Sequence, residues 1–408
     1  MSTDTAVNGA HAADKKAGSN HVSVEAEPLT SAAHVGHVSM SRKKKNDPHA
    51  TRWGKFLQAA IKFEASDLII KSDQQPKVRL RGALKAMETA AVTEEEFWQI
   101  ADAILSPEQQ ADLQKFGSVD FAYDYDAHNR FRVNLFQARG KLSVAARLIT
   151  SKIRRFEELY LPAVMADVAM QPNGIVLLSG VTGSGKSTTI AAMLDYVNER
   201  NPVHIVTIED PIEYIFVDKK ATINQREIGI DCLDFKIALR ALVRENPDVV
   251  LVGEMRDNET FHAALHAAET GHLVYGTIHA SSSTQTFSRI YGLFPQEEVE
   301  QVRKILAYQM RAFVYQKLLK TLHANIARIP GIEILINNAV VRKHILEARE
   351  GELREYLKSI EARQSGMQDF NWHLVKLVEE EYIALKVAED SSPNIDEFRM
   401  MLKKLGGI

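Results

Sequence analysis

Gly180-Val-Thr-Gly-Ser-Gly-Lys-Ser187 sets three glycines, a lysine and a hydroxyl at the spacing G-x-x-x-x-G-K-[ST]. No other stretch restricts the fold as much. An unbroken apolar run, residues 174–178, precedes it, and residues 187 to about 198 read as a helix. Strand, glycine-rich turn and helix together aim consecutive backbone N–H groups at phosphate oxygens, with the positive end of the helix behind them. Gly180, Gly183 and Gly185 permit the sharp turn, and Thr182, Ser184 and Thr188 complete the loop and its exit. Lys186 is the expected bridge between β- and γ-phosphates, and the Ser187 hydroxyl the expected Mg²⁺ ligand. ATP with Mg²⁺ is therefore the expected ligand of this loop.

Downstream acids decide what such a loop does. Asp248-Val-Val-Leu-Val-Gly-Glu254 is an apolar strand followed by a carboxylate, so Glu254 is expected at the carboxyl end of a strand beside the nucleotide. A second acid cluster, Glu209-Asp-Pro-Ile-Glu213, follows the strand expected at 203–208. Acids at neighbouring strand ends can hold a hydrated metal and orient an attacking water. In Glu269-Thr-Gly-His-Leu-Val-Tyr-Gly-Thr-Ile-His279, His272 and His279 bracket a further strand. Their odd separation puts them on opposite strand faces, so one can face the nucleotide and the other a domain or subunit boundary.

Strands near 203–208, 249–252 and 273–278 alternate with helices near 235–244 and 259–270. That alternation implies βαβ units and a mainly parallel sheet, an α/β fold. Beyond Pro295 the chain reads as mostly helical, with Val299, Val302, Leu306, Met310, Phe313 and Leu318 on one apolar stripe.

Residues 1–50 lack Phe, Trp and Tyr and end in the basic run Arg42 to Lys45, the composition of a disordered tail. From Trp53 the pattern is globular. Helices are expected at 53–65 and 92–105, the second opened by a Thr93/Glu96 capping box. Strands are expected at 68–70, 77–80, 121–125, 131–136 and 142–148, with a hairpin turn at Asn129. The expected division is a tail at 1–50, an α+β domain at 51–150, a charged linker at 151–162, a nucleotide-binding core at 163–340 and a helical region at 341–408.

The formal net charge of the 408-residue chain is −3, so no global basic field points to nucleic acid. The single cysteine, Cys232, excludes a disulfide framework and a four-cysteine zinc site within one chain. No apolar run reaches the roughly 18 residues that span a bilayer. A cytoplasmic protein is the simplest expectation.

Taken in order, VTGSGKSTT, TIEDPIEY, NQREIG, ALRALVRENPDVVLVGEMRD and AAETGHLVYGTIHA resemble the secretion ATPase superfamily, and most closely the PilT/PilU family of type IV pilus retraction ATPases. The resemblance covers roughly residues 53–405. It implies a PAS-like N-terminal domain, a RecA-like P-loop ATPase domain and a hexameric ring. It makes Glu209 the general base, Glu254 a Mg²⁺ and transition-state residue, and His272 and His279 functional. Arg130-Phe-Arg-Val-Asn134 resembles the family's R-F-R-V-N, whose domain sends arginines to the γ-phosphate. Arg132 and Arg139 are the candidates here, with Arg147 a third.

The implied activity is ATP hydrolysis driving pilus retraction and twitching motility. The implied partners are further copies of the chain, an inner-membrane pilus platform protein and a second retraction ATPase, with only peripheral membrane association at the cytoplasmic face. Two departures bear on the role. Asp369 stands in the C-terminal G-M-Q-T-F motif, and Val340-Val-Arg-Lys343 only partly keeps A-I-R-N. They leave a PilU-like accessory motor as an alternative, and a DotB-like secretion ATPase is a second one from the same chemical class. A nucleic-acid motor would need a basic groove with stacking aromatics, which the sequence does not display. A non-enzymatic regulator would be expected to lack Lys186, Glu209 or Glu254, and a small-molecule kinase would need a lid that is not identifiable.

Overall fold

Apolar alternation between residues 67 and 150 builds the first sheet. The computed structural model describes residues 51–406 except Arg81, Ala127 and Val243, and the tail expected at 1–50 lies outside the described residues. Helix α1, Arg52–Lys62, is capped by Thr51, whose hydroxyl accepts from Gly54 N at 3.0 Å. Strands β1 (Asp67–Lys71), β2 (Lys77–Leu80) and β3 (Ala83–Ala86) follow, then α2 (Glu94–Ile104) and α3 (Pro107–Phe116). Strands β4 (Ser118–Asp124), β5 (Asn129–Ala138) and β6 (Lys141–Thr150) complete a six-stranded antiparallel sheet in the order β3-β2-β1-β6-β5-β4. Trp53, Phe56 and Leu57 of α1 pack with Phe131, Val133 and Leu135 of β5 in one buried core. Each such side chain contributes roughly 1.5–3 kcal/mol of burial free energy.

Two local readings change. Thr93 accepts from Glu96 N at 3.2 Å as the α2 cap, but the Glu96 carboxylate pairs with Arg52 of α1. Helix α3, absent from the sequence reading, opens with a full capping box between Ser106 and Gln109 and with Pro107 in its first turn.

The second sheet begins after the connector, which carries a short 3₁₀ turn at Glu157–Leu159. In chain order come α4 (Val164–Ala169), β7 (Gly174–Ser179), α5 (Lys186–Arg200), β8 (His204–Glu209), β9 (Thr222–Glu227), α6 (Phe235–Leu242), β10 (Val249–Val252), α7 (Asn258–Glu269), β11 (Leu273–Ile278), α8 (Gln285–Tyr291), α9 (Val299–Gln309), β12 (Met310–Lys320) and β13 (Arg328–Ile336). The seven strands lie in the order β13-β12-β7-β11-β10-β8-β9, parallel except for the antiparallel pair β12–β13. Strands β7, β10 and β11 are buried along their whole length, as expected when helices cover both faces. Helices α10 (Ala339–Leu346), α11 (Leu353–Tyr356), α12 (Ile360–Gln364), α13 (Phe370–Glu379), α14 (Leu385–Ser391) and α15 (Ile395–Gly406) close the chain.

The apolar stripe read as one helix across 299–318 is in fact split. Helix α9 ends at Gln309, and Met310–Lys320 is strand β12, paired with β7 on one side and β13 on the other. Spacings of three to five residues fit a helix in the first half. In the second half Ala312, Phe313 and Val314 are buried because β7 would otherwise be an open sheet edge.

Candidate functional site

Strands β7, β8, β10 and β11 run parallel, so their carboxyl ends share one edge. Gly180 follows β7, Glu209 ends β8, Glu254 lies just past β10 and His279 just past β11. These ends open on a cavity of about 970 Å³, lined also by the glycine loop, by the connector and by β12.

The loop backbone is built for close approach. Gly180 has φ 146° and Gly185 φ 88°, both in the region that penalises a side chain. A Cβ on Gly180 would fall on the Gln316 carbonyl oxygen, and one on Gly185 would come 2.7 Å from Gln316 Nε2. Gln316, on β12, closes the underside of the loop. Its Nε2 donates to Ser184 O at 2.8 Å, and its Oε1 accepts from Thr189 Oγ1 at 2.8 Å. The sequence reading missed Gln316 because it sits in the stretch read as helix. Helix α5 starts at Lys186 with no side-chain cap at Gly185, which leaves its first N–H groups for an anion. The Ser184 hydroxyl is buried without a partner.

Lys186 folds back onto the loop: its Nζ donates to Gly180 O at 2.9 Å and Val181 O at 3.2 Å. Burial lowers its pKa, with the Glu254 charge opposing. Thr182, Gly183, Ser187 and Thr188 line the cavity, and the Thr188 hydroxyl sits 2.7 Å from Tyr214 OH.

The two acids differ in kind. Glu209 is 7% exposed, and burial pushes its pKa up to about 7 against hydrogen bonds from Thr207 and Gln225. Thr207 Oγ1 donates to its Oε1 at 2.7 Å and Gln225 Nε2 at 3.2 Å. The peptide bond that follows, Asp210–Pro211, is cis. Glu254 instead is held ionised: Arg256 Nη2 donates to its Oε2 at 2.6 Å, and His279 Nε2 lies 3.0 Å from its Oε1. The Arg256 hydrogen bond leads the lowering of its pKa.

His279 is therefore in the cavity beside Glu254, whereas His272 is not among the lining residues. The His272 Nδ1–H donates to the Ala267 carbonyl at 2.8 Å and so ties the end of α7 to the start of β11. Neither Arg132 nor Arg139 lines the cavity of its own chain. Arg132 is an exposed residue of β5, and Arg139 occupies the β5–β6 hairpin at φ 55°. Arg147 does line the cavity, its Nε anchored on Asp67 Oδ1 at 3.0 Å, and Arg154 of the connector lines it too. Arg154 escaped the sequence reading because only the fold brings the connector to the loop.

Among the described residues no group of three or more His, Cys, Asp or Glu could hold a metal by itself. Mg²⁺ arriving on nucleotide phosphates keeps several waters and needs few protein ligands. The exposed Ser187 hydroxyl and the ionised Glu254, on one cavity, meet that need.

The model of the type II/IV secretion system protein family matches residues 125–367. A twitching motility protein of Neisseria gonorrhoeae is 41% identical over 319 residues, which cover 78% of this chain and 84% of that protein. The type IV pilus retraction ATPase PilT of Pseudomonas aeruginosa is 38% identical over 344 residues, covering 84% of this chain and 98% of its own. A crystal structure of the pilus retraction motor PilT with bound ADP is similar at a TM-score of 0.79 and 38% identity, covering 85% of this chain and 98% of that one. No helix among the described residues is long and apolar enough to cross a membrane.

Proposed function

The chain belongs to the type II/IV secretion system protein family, in the branch of the pilus retraction ATPase PilT, and on that premise we propose that it is a hexameric motor that hydrolyses ATP to retract a type IV pilus. The observation that carries this reading is the convergence of Lys186, Glu209, Glu254 and His279 on one cavity at the carboxyl ends of adjacent parallel strands.

In this reading the glycine loop and the first turn of α5 bind the phosphates, and Lys186 exchanges its two carbonyl partners for phosphate oxygens. Glu209 takes the proton of the attacking water, a task suited to a carboxyl poised near neutrality. Ser187 and Glu254 hold Mg²⁺ with its waters, and when bound that ion neutralises charge developing on the phosphoryl oxygens. His279 orients Glu254 and senses the γ-position. His272, away from the cavity, acts at the boundary between subunits. Arg147 and Arg154 face the nucleotide of their own chain, while the exposed Arg132 and Arg139 serve the site of a neighbouring copy. Residues 51–150 and 163–340 act as two domains on the hinge 151–162, the helices of 341–408 accompany the second, and the motor docks on a pilus platform protein at the cytoplasmic face of the inner membrane.

Lys186→Ala should abolish nucleotide binding, and Glu254→Gln should bind ATP without turning it over. Cells carrying Glu254→Gln should assemble pili and fail to retract them, with twitching reduced. Wild-type ATPase rates in either purified variant would remove the site assignment. Bald cells would turn the direction of force to extension.

A further inference from the structure

Two acids close adjacent strands in register. Glu209 ends β8, Glu227 ends β9, and their Cα atoms are partners in the parallel ladder. Only Glu209 lines the cavity. Glu227 is 6% exposed, and its carboxylate lies 3.2 Å from Arg130 Nη2 on β5 of the first sheet. Burial raises the Glu227 pKa, and the charges of Arg130 and Arg132 oppose it. A buried ion pair is weak evidence for stability, because desolvation offsets much of the attraction. Its position points to another use.

Strand β9 is the edge of its sheet, bonded only to β8. Two residues before Glu227, on the same strand face, stands Gln225. Its Nε2 donates to Glu209 Oε1 at 3.2 Å and to Tyr214 O at 2.8 Å, and its Oε1 accepts from Phe216 N at 2.9 Å. The amide has no slack, so a shift of β9 becomes a shift of the Glu209 carboxylate. Arg130 meets the free end of β9 from the first sheet through this ion pair, and the Glu227 oxygen that faces it has no hydrogen-bond partner.

We propose that Arg130 and Glu227 are a positioning pair for ATP hydrolysis: by pinning β9 to the first sheet they hold Gln225, and through it Glu209, in the reactive orientation. The proposal rests on Glu209 being the general base. It makes the approach of the first sheet a condition of turnover while leaving the phosphate loop untouched. A second tie survives loss of the pair, since Ile215 N donates to Thr150 O of β6 at 3.2 Å. The strand end should therefore tilt rather than detach.

The test is steady-state ATPase of the full chain, with nucleotide affinity measured separately by a fluorescent ATP analogue. Arg130→Gln and Glu227→Gln should each lower kcat by roughly 10- to 100-fold, the scale of an ångström-sized misplacement. KM and analogue affinity should stay within about twofold, because the loop that binds phosphate is unchanged. Arg130→Lys should recover most of kcat. The double variant Arg130→Met/Glu227→Gln leaves no unpaired buried charge, so it should fold, and its kcat should match the single variants rather than the product of their losses. In a Glu209→Gln background, Arg130→Gln should leave the residual rate unchanged. A fall in melting temperature with kcat intact, recovery of kcat in the neutral double variant, or a further loss on top of Glu209→Gln would each overturn the proposal. Failure of the general-base reading is distinguishable, because Glu209→Gln would then hydrolyse ATP at the wild-type rate.

Discussion

Gln316 offers a sharp test of how the phosphate loop is held. Gln316→Leu keeps the side chain's bulk and deletes both polar ends. Ser184 O then loses its donor and Thr189 Oγ1 its acceptor, both at 2.8 Å and both in buried residues. A buried polar group left unpaired costs about 1–3 kcal/mol, so the two together should cost about 2–6 kcal/mol of stability. Part of that loss falls on the loop itself. If about 1.4 kcal/mol of it is carried by the conformation that binds phosphate, ATP affinity should drop about tenfold. Thermal unfolding with and without a slowly hydrolysed ATP analogue separates the two effects. The variant should melt lower, and saturating analogue should recover stability in proportion to the occupancy of the loop. A variant with wild-type melting temperature and wild-type affinity would show that the Gln316 amide does not brace the loop.

Glu209 has a folded-state pKa of about 7 against an ordinary 4.5, so the folded protein binds the extra proton between those values and stability falls as pH rises through that window. Glu209→Gln should therefore gain on wild type between pH 5 and pH 8, by up to roughly 3 kcal/mol, while losing turnover; an equal stability difference at both pH values would sink the assignment of burial as the cause. Wild-type kcat should in turn rise with pH towards neutrality as the base deprotonates, and a flat profile from pH 5.5 to 8 would argue against Glu209. Arg132→Ala and Glu254→Gln proteins, each inactive alone, should regain activity on mixing if Arg132 completes a neighbour's site; mixed rings that remain inactive would confine the arginine to its own chain.

Most of the strand ends that build the cavity were legible because each carries its own local signal. Glycine spacing announced the turn after β7, an unbroken apolar run announced β10, and mainly apolar, β-branched stretches announced β8 and β11, with the acid or histidine that follows each. What stayed hidden is what depends on contacts between distant segments. Met310–Lys320 has apolar spacings that suit a helix over a short window, and only the open edge of β7 makes it a strand. With the strand goes Gln316, which no local pattern marks as part of a phosphate loop more than a hundred residues earlier. Arg154 is hidden for the same reason, since only the fold brings the connector to the cavity. It stands among several basic residues, and the path of the connector decides that it is the one lining the cavity. Gln225 and Glu227 sit in NQREIG, which contributed to the resemblance but gave no chemical reason for its residue types. The reason lies in register: β9 runs parallel to β8 and brings Gln225 and Glu227 alongside Thr207 and Glu209. Local motifs thus name the groups that can touch a nucleotide. The groups that set the orientation of those first residues are found only after pairing is known, because their function is a distance to another strand rather than a property of their own neighbours.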